Sequence, residues 1–266
     1  MFGEIELKFV CAYARALGIL LLIATLGIAY AGNPAYSITE YPSINTATVD
    51  GKWTAPDEWT DTPITEMAGN GTGKFGYNIQ DFTNLGLEWI IEFFTDNTTD
   101  PNDYWEICFD DGNDGGGAPD TDDFMIRIIG HTTLKVYKGT GTGWEEITPD
   151  PGEIAWKDSI NSSPWHSQPH WILEIVDSSK TAGKVQIPNP PPTGMRIAAY
   201  DAGTGKFASW PPGSSANIPN TWGVVSTYSL EPIPEGLSPA SAILLSAATL
   251  TISGYFYRKN RQKNNK

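Results

Sequence analysis

Leu87, Trp89, Ile91 and Phe93 alternate with Glu88, Ile90 and Glu92. A period of two is that of a strand with one face buried, because successive side chains leave a strand on opposite sides. The same alternation returns at Trp105, Ile107 and Phe109, and again at Trp171, Leu173 and Ile175. Further short runs at 124–129, 133–137, 195–200, 207–210 and 222–228 are rich in aromatic and β-branched residues and bounded by turn formers. Gly130 and His131 stand where a hairpin would turn between two of them. About eight to ten strands are predicted in this way, and a chain built of them is all-β. The 27 Gly, 20 Pro and 31 aromatic residues fit that class better than a helical one. No period of about 20 to 50 residues repeats, so a solenoid or propeller is not expected.

Between two of the strand-like runs lies 110–123, Asp-Asp-Gly-Asn-Asp-Gly-Gly-Gly-Ala-Pro-Asp-Thr-Asp-Asp. Such a segment has no apolar surface to bury, and its carboxylates repel one another unless a cation sits among them. Two readings stand side by side: a solvated acidic loop, or a calcium loop in which Asp110, Asp111, Asn113, Asp114, Asp120, Asp122 and Asp123 supply oxygen ligands. The EF-hand spacing fails, because from Asp111 the third ligand position is Gly115. A site here would be of an irregular, strand-loop kind.

The ends suggest a membrane. An apolar stretch at 16–29, preceded by Lys8 and Arg15, ends in Ala29-Tyr30-Ala31, the small-x-small pattern of a secretory cleavage site. Residues 1–31 are read as a signal peptide, with an uncleaved anchor as the alternative, and 32–44 as a loose leader. Residues 240–257 carry no charge and are followed by a basic segment, 258–266. As a helix they would span roughly 27 Å, close to the ~30 Å hydrocarbon core. The basic cluster would then stay in the cytoplasm. Residues 229–239 form a Pro-rich spacer, and the bulk of the chain is expected at the cell surface, held by a single pass. Setting aside Glu4, Glu6, Lys8, Arg15 and the five basic residues of the tail leaves 29 acidic against 10 basic residues, a charge of −19. Nucleic acid is therefore no partner, since phosphate binding needs a basic face. Cys11 lies in the leading segment, which leaves Cys108 without a disulfide partner; it falls on the strand face opposite Trp105, Ile107 and Phe109 and reads as a packed thiol.

Val49-Asp50-Gly51, in which Asp50-Gly51 is expected to make a tight turn, followed by Glu58-Trp59, resembles the opening motif of the DOMON-like superfamily, which includes family 9 carbohydrate-binding modules and haem-carrying relatives such as the ethylbenzene dehydrogenase γ-subunit. His170-Trp-Ile-Leu-Glu174 resembles that group's late strand, and Trp210-Pro211 with Pro219-Asn-Thr-Trp222-Gly223 resembles its closing segment. The tail, with Pro-Glu-Gly at 234–236, is similar to tripartite sorting tails of surface proteins, although Gly236 stands where those carry an aromatic residue. The resemblance covers roughly 45–228 and implies one domain, a β-sandwich of two antiparallel sheets. It also implies a non-catalytic module that binds carbohydrate. The alternatives are a haem b electron-transfer domain and a purely structural surface protein.

For haem, Met67, Met125, Met195, His131, His166 and His170 are the available ligand types, and their spacing selects no pair. His166 and His170 have a spacing that would suit zinc on a helix, but Pro169 argues against a helix there. The glycine runs at 69–74 and 203–206 lack the P-loop spacing and read as turns. No nucleophile elbow is present, so an enzyme is not expected. Trp89, Trp105 and Trp171 alternate inward, and Trp53 and Trp59 belong to the opening motif. Of the remaining tryptophans, Trp144, Trp165 and Trp210 are flanked by turn residues and are the candidates for stacking on a pyranose.

Overall fold

The computed structural model describes residues 32–227, apart from 46, 56, 80–85, 179–183 and 186–191. The expected signal peptide, Pro-rich spacer, membrane helix and basic tail lie outside the described residues. Among the described residues no helix is long and apolar enough to cross a membrane. The strands are β1 (Asn33–Glu40), β2 (Ile64–Gly69), β3 (Thr72–Ile79), β4 (Leu87–Phe93), β5 (Tyr104–Asp110), β6 (Asp123–Ile129) and β7 (Thr133–Gly139). They continue with β8 (Trp144–Ile147), β9 (Ile154–Asn161), β10 (His170–Asp177), β11 (Thr193–Asp201), β12 (Lys206–Trp210) and β13 (Gly223–Thr227).

The all-β expectation holds, but the pairing departs from two separate sheets. The strands hydrogen-bond in the order β8-β7-β6-β5-β11-β12-β2-β3-β4-β10-β9, while β13 pairs with both β11 and β1. This single sheet curls until its halves face each other. Trp89 on β4 comes within 5.4 Å of Phe109 on β5, and the Trp105 indole of β5 donates to Asp158 of β9 at 2.9 Å. The two halves join where β12 meets β2, a contact of only two registered pairs, Ala208 with Gly69 and Ser209 with Ala68. Gly69 is required there, because a Cβ would lie 2.2 Å from the Phe207 carbonyl oxygen. The core fills the space inside the curl, with Phe75, Trp89, Ile91, Ile107, Phe124 and Trp210 all buried.

Two further differences follow from what alternation does not encode. The leader at 32–44 contains β1, which pairs in parallel with β13; Tyr36 and Ile38 pack on the core, and the Tyr77 hydroxyl donates to Glu40 at 2.8 Å. Strand β4 is buried on both faces, Glu88 and Glu92 included. The apolar face lies inside the curl, while the other face is covered by the 41–62 segment, whose Trp59 packs on Ile90 and Ile172. The turn at Gly130 and His131 forms as expected, with φ of 56° and 58° at its two central residues and the Thr132 N–H donating to Ile129 O at 3.2 Å; with Thr132 it makes a three-residue connection, since Ile129 pairs with Thr133.

Candidate functional site

The residues with chemistry fall into three groups. The first is a carboxylate joint under the opening motif. Asp50-Gly51 makes the expected tight turn, with Gly51 at φ 78°. Glu174 on β10 accepts the backbone N–H of Asp50 and of Gly51 at 2.8 Å each, and the Trp59 indole at 2.8 Å. Glu92 on β4 accepts the Trp53 indole at 2.7 Å and the Ser163 hydroxyl at 2.6 Å, and lies 2.8 Å from His170 Nε2. Glu58 accepts the N–H of Thr48 and of Thr54 at 2.7 Å each. Burial pushes Glu174 up to about 7 against the pull of its three donors. These carboxylates answer donors that would otherwise be buried unpaired.

His131 belongs to the same structural class. Its ring lies flat on Trp171, centroids 3.4 Å apart and planes within 8°. Its Nδ1 lies 2.7 Å from Asp158 and its Nε2 3.2 Å from Asp103. Burial works against the charged ring, but the hydrogen bonds and charges of those aspartates outweigh it and hold the imidazole above its ordinary pKa. His166 and His170 do meet, edge to face at 5.3 Å, yet the nitrogens of His170 face Gln168 O and Glu92. Met67, Met125 and Met195 are buried among core side chains. Cys108 packs with Met125 and Trp222, and burial pushes its thiol far up, as for an inert cysteine.

The second group is the acidic loop between β5 and β6. Asp110, Asp114 and Asp122 each bring an oxygen within 4.8 Å of the others. Backbone amides hold them: Asp110 accepts from Asp114 at 3.2 Å and from Gly115 at 2.8 Å, and Asp122 accepts from Gly112 at 2.9 Å. Asp123 stands directly across the ladder from Asp110, is 1% exposed, and accepts the Asp120 N–H with one oxygen while the other has no partner. Asp120 accepts the N–H of Asp122 at 3.2 Å. Burial first, then neighbouring carboxylates, raise Asp110 to about 6 and Asp123 to about 8; Asp120 reaches about 6 chiefly through its contact with Asp122. Asn113 is buried with neither amide atom paired, and its oxygen lies beside Gly32, where a Cβ would come within 3.0 Å of it. Asp111 is outside the converging trio.

The third group comprises the tryptophans. Trp144, half-buried at the start of β8, lies parallel to the fully buried Trp222, centroids 6.4 Å apart and planes within 6°. Its indole N–H donates to Asn217 at 3.1 Å. Trp165, also half-buried, sets its ring at 79° to Trp53, 5.4 Å away, over the cluster of Trp59, Ile90 and Ile172. Trp210 is different. It is 4% exposed, packs on Phe75 at 5.4 Å, and comes so near Gly223 that a Cβ there would lie 2.4 Å from its ring. It ends a core strand and presents no ring face to a ligand, so its place as a stacking candidate is corrected. The turn residues around it mark the strand end, not exposure.

No family model matches this chain, and no curated protein matches it. Among solved structures, a family 9 carbohydrate-binding module from Caldicellulosiruptor kristjanssonii in complex with glucose is similar with a TM-score of 0.49 and 15% identity, over 76% of this chain and 100% of that one. The structure of such a module from that organism with cellotriose gives 0.48 and 14%, over 75% and 98%. A protein of Bacteroides uniformis, provisionally named as carbohydrate-binding, gives 0.46 and 11%, over 73% and 99%.

Proposed function

We propose that the strand domain, taken from the sequence as 45–228, is a non-catalytic carbohydrate-binding module displayed at the cell surface. In this reading residues 240–257 anchor it to the membrane and 258–266 remain in the cytoplasm. The observation that carries the binding role is the setting of Trp144. A half-exposed indole is backed by a buried parallel indole and fixed through its N–H by Asn217. A platform held in this way loses little conformational freedom when an apolar sugar face stacks on it. Trp165 is the second candidate platform. Its partner Trp53 is itself bonded to Glu92, so that ring is also held by its neighbours.

A glycan array probed with the full chain identifies the sugar, and titration calorimetry then follows single variants. Trp144→Ala is expected to weaken binding by roughly 1–3 kcal/mol with the melting temperature nearly unchanged. Trp210→Ala should instead destabilise by ~3–5 kcal/mol, as for a core aromatic. An array without signal would replace this reading with a purely structural surface protein, and Trp144→Ala and Trp165→Ala variants that bind as well as the parent would remove both rings as the platform.

A further inference from the structure

We infer that Asp110, Asp114 and Asp122, backed by Asp123, bind a hard divalent cation of the calcium type, and that this ion organises the Trp144 platform. The second half of that statement rests on the proposed role of Trp144. The first half stands on the loop alone. Three carboxylates converge within 4.8 Å; backbone N–H groups of the loop donate to Asp110 and Asp122, and the Asp122 carboxyl also meets that of Asp120. The Asp123 carboxylate leaves the same face of the ladder as Asp110, and one of its oxygens is buried with no donor. A buried carboxyl with an orphaned oxygen beside three convergent carboxylates calls for a cation, because without one it stays buried only by holding a proton, which answers none of the other three. Calcium accepts an irregular set of six to eight oxygen ligands, whereas magnesium demands a near-octahedral one.

The coupling follows from what the loop touches. The Gly116 N–H donates to Asn220 Oδ1 at 3.0 Å, and the Asn220 N–H donates back to Gly116 O at 3.1 Å. Asn220 lies two residues before Trp222, in the segment that also supplies Asn217 to the Trp144 indole. On the other side the Gly141 N–H donates to Pro119 O at 2.7 Å. Gly139, the ladder partner of Trp144, lies so close to the loop that a Cβ would sit 1.9 Å from the Asp120 carbonyl oxygen. The loop is therefore clasped between the β7–β8 hairpin, which carries Trp144, and the 215–222 segment, which carries its backing ring and its hydrogen-bond acceptor. An ion that draws the aspartates together restrains both flanks, and by linkage whatever those flanks bind favours the ion.

Calcium chloride alone, titrated into the chelator-treated full chain, is the probe. Calorimetry should show one site, with a Kd on the order of 10⁻⁴–10⁻³ M, as in extracellular modules, and weaker binding of magnesium. Hydrogen exchange should slow by roughly tenfold or more on adding calcium, in the loop and also in 139–147 and 215–222. Asp122→Asn, and separately the exposed Asp114→Asn, should abolish both effects while leaving the chelated chain folded. Protection confined to 110–123 would overturn the coupling, and no binding at millimolar calcium would overturn the site itself. Neither outcome involves sugar, so failure here is separate from failure of the Trp144→Ala test. Calcium-dependent protection of both flanks beside a silent glycan array would leave the ion standing and remove the carbohydrate.

Discussion

Glu92 and Glu174 under the opening motif, and Asp110 and Asp123 at the head of the acidic loop, are all carboxylates shut away from solvent at strand positions of one sheet. Their partners separate them. The glutamates receive indole and hydroxyl donors, and Glu174 two backbone N–H groups besides. Each of these donors comes from a segment distant in sequence, so the glutamates act as joints that fasten 45–62 and 161–169 onto β4 and β10. The aspartates receive only N–H groups of their own loop and face one another. Long-range donors make a buried carboxylate structural; their absence leaves a charge for something else to answer.

The largest expected effect lies at the joint. Glu174→Ala strips the acceptor from two backbone amides and an indole, all beneath a covered face, and no water replaces it without opening that face. A loss of ~3–5 kcal/mol is expected, measured as a lower urea midpoint at unchanged m-value. A loss below about 1 kcal/mol would show that the opening segment contributes little to holding the fold, and the contrast with the loop would collapse.

How far this contrast was legible in the sequence depends on what each signal encodes. Alternation located β4, β5 and β10 and put Trp89, Trp105 and Trp171 inside, because a period of two is a property of the strand itself. Gly130-His131 and Asp50-Gly51 were legible because turns are local. The composition of 110–123 pointed to converging carboxylates, and three of the six aspartates do converge. Glu92 and Glu174 were not legible as joints. Polar residues on alternate positions signal a solvated face, and nothing local reveals a segment some 30 residues or more away that covers it. Trp210 misled for the converse reason: turn residues on either side describe the chain's path, whereas burial depends on Phe75 and Gly223, remote in sequence. The continuous curl was hidden too, since it hangs on two residue pairs between β12 and β2.

Glu88 gives a sharper test of the covered face, through pH. Burial raises its pKa from 4.5 to about 7, helped by the charges of Asp61, Glu174 and Glu58 and opposed by a hydrogen bond from Ser43. The folded pKa lies above the unfolded one, so between about 4.5 and 7 the native state keeps a proton that the unfolded chain has released. Stability must then fall as pH rises through that window and level off above it. The shift corresponds to roughly 3 kcal/mol between its two limits. His131, also raised, adds a slope of the same sign, its contribution present below ~6.5 and lost as pH climbs through its folded value. Urea midpoints at pH 5 and pH 8 should show the parent weaker at pH 8, and Glu88→Gln should lose less over the same interval. Equal slopes in parent and variant would mean that this face admits water.

The smallest effect is the one that opposes the two regions most directly. Asp123→Asn keeps an oxygen to accept the Asp120 N–H and replaces the orphaned oxygen with an N–H2 group facing Asp110. In chelator at about pH 9, above the raised pKa of Asp123, this removes one of two buried like charges and supplies a donor, so the variant should be more stable than the parent by about 1 kcal/mol. Calcium should reverse the order, because the parent gains stability from the ion by RT ln(1 + [L]/Kd), about 2.7 kcal/mol at a hundredfold excess over Kd, while the variant binds more weakly. At the joint, the corresponding removal of a carboxylate destabilises whatever the ion concentration. A pair of melting curves, with calcium and with chelator, therefore tests the sign: if Asp123→Asn destabilises under both conditions, the acidic loop is as self-sufficient as the joint, and the division between them fails.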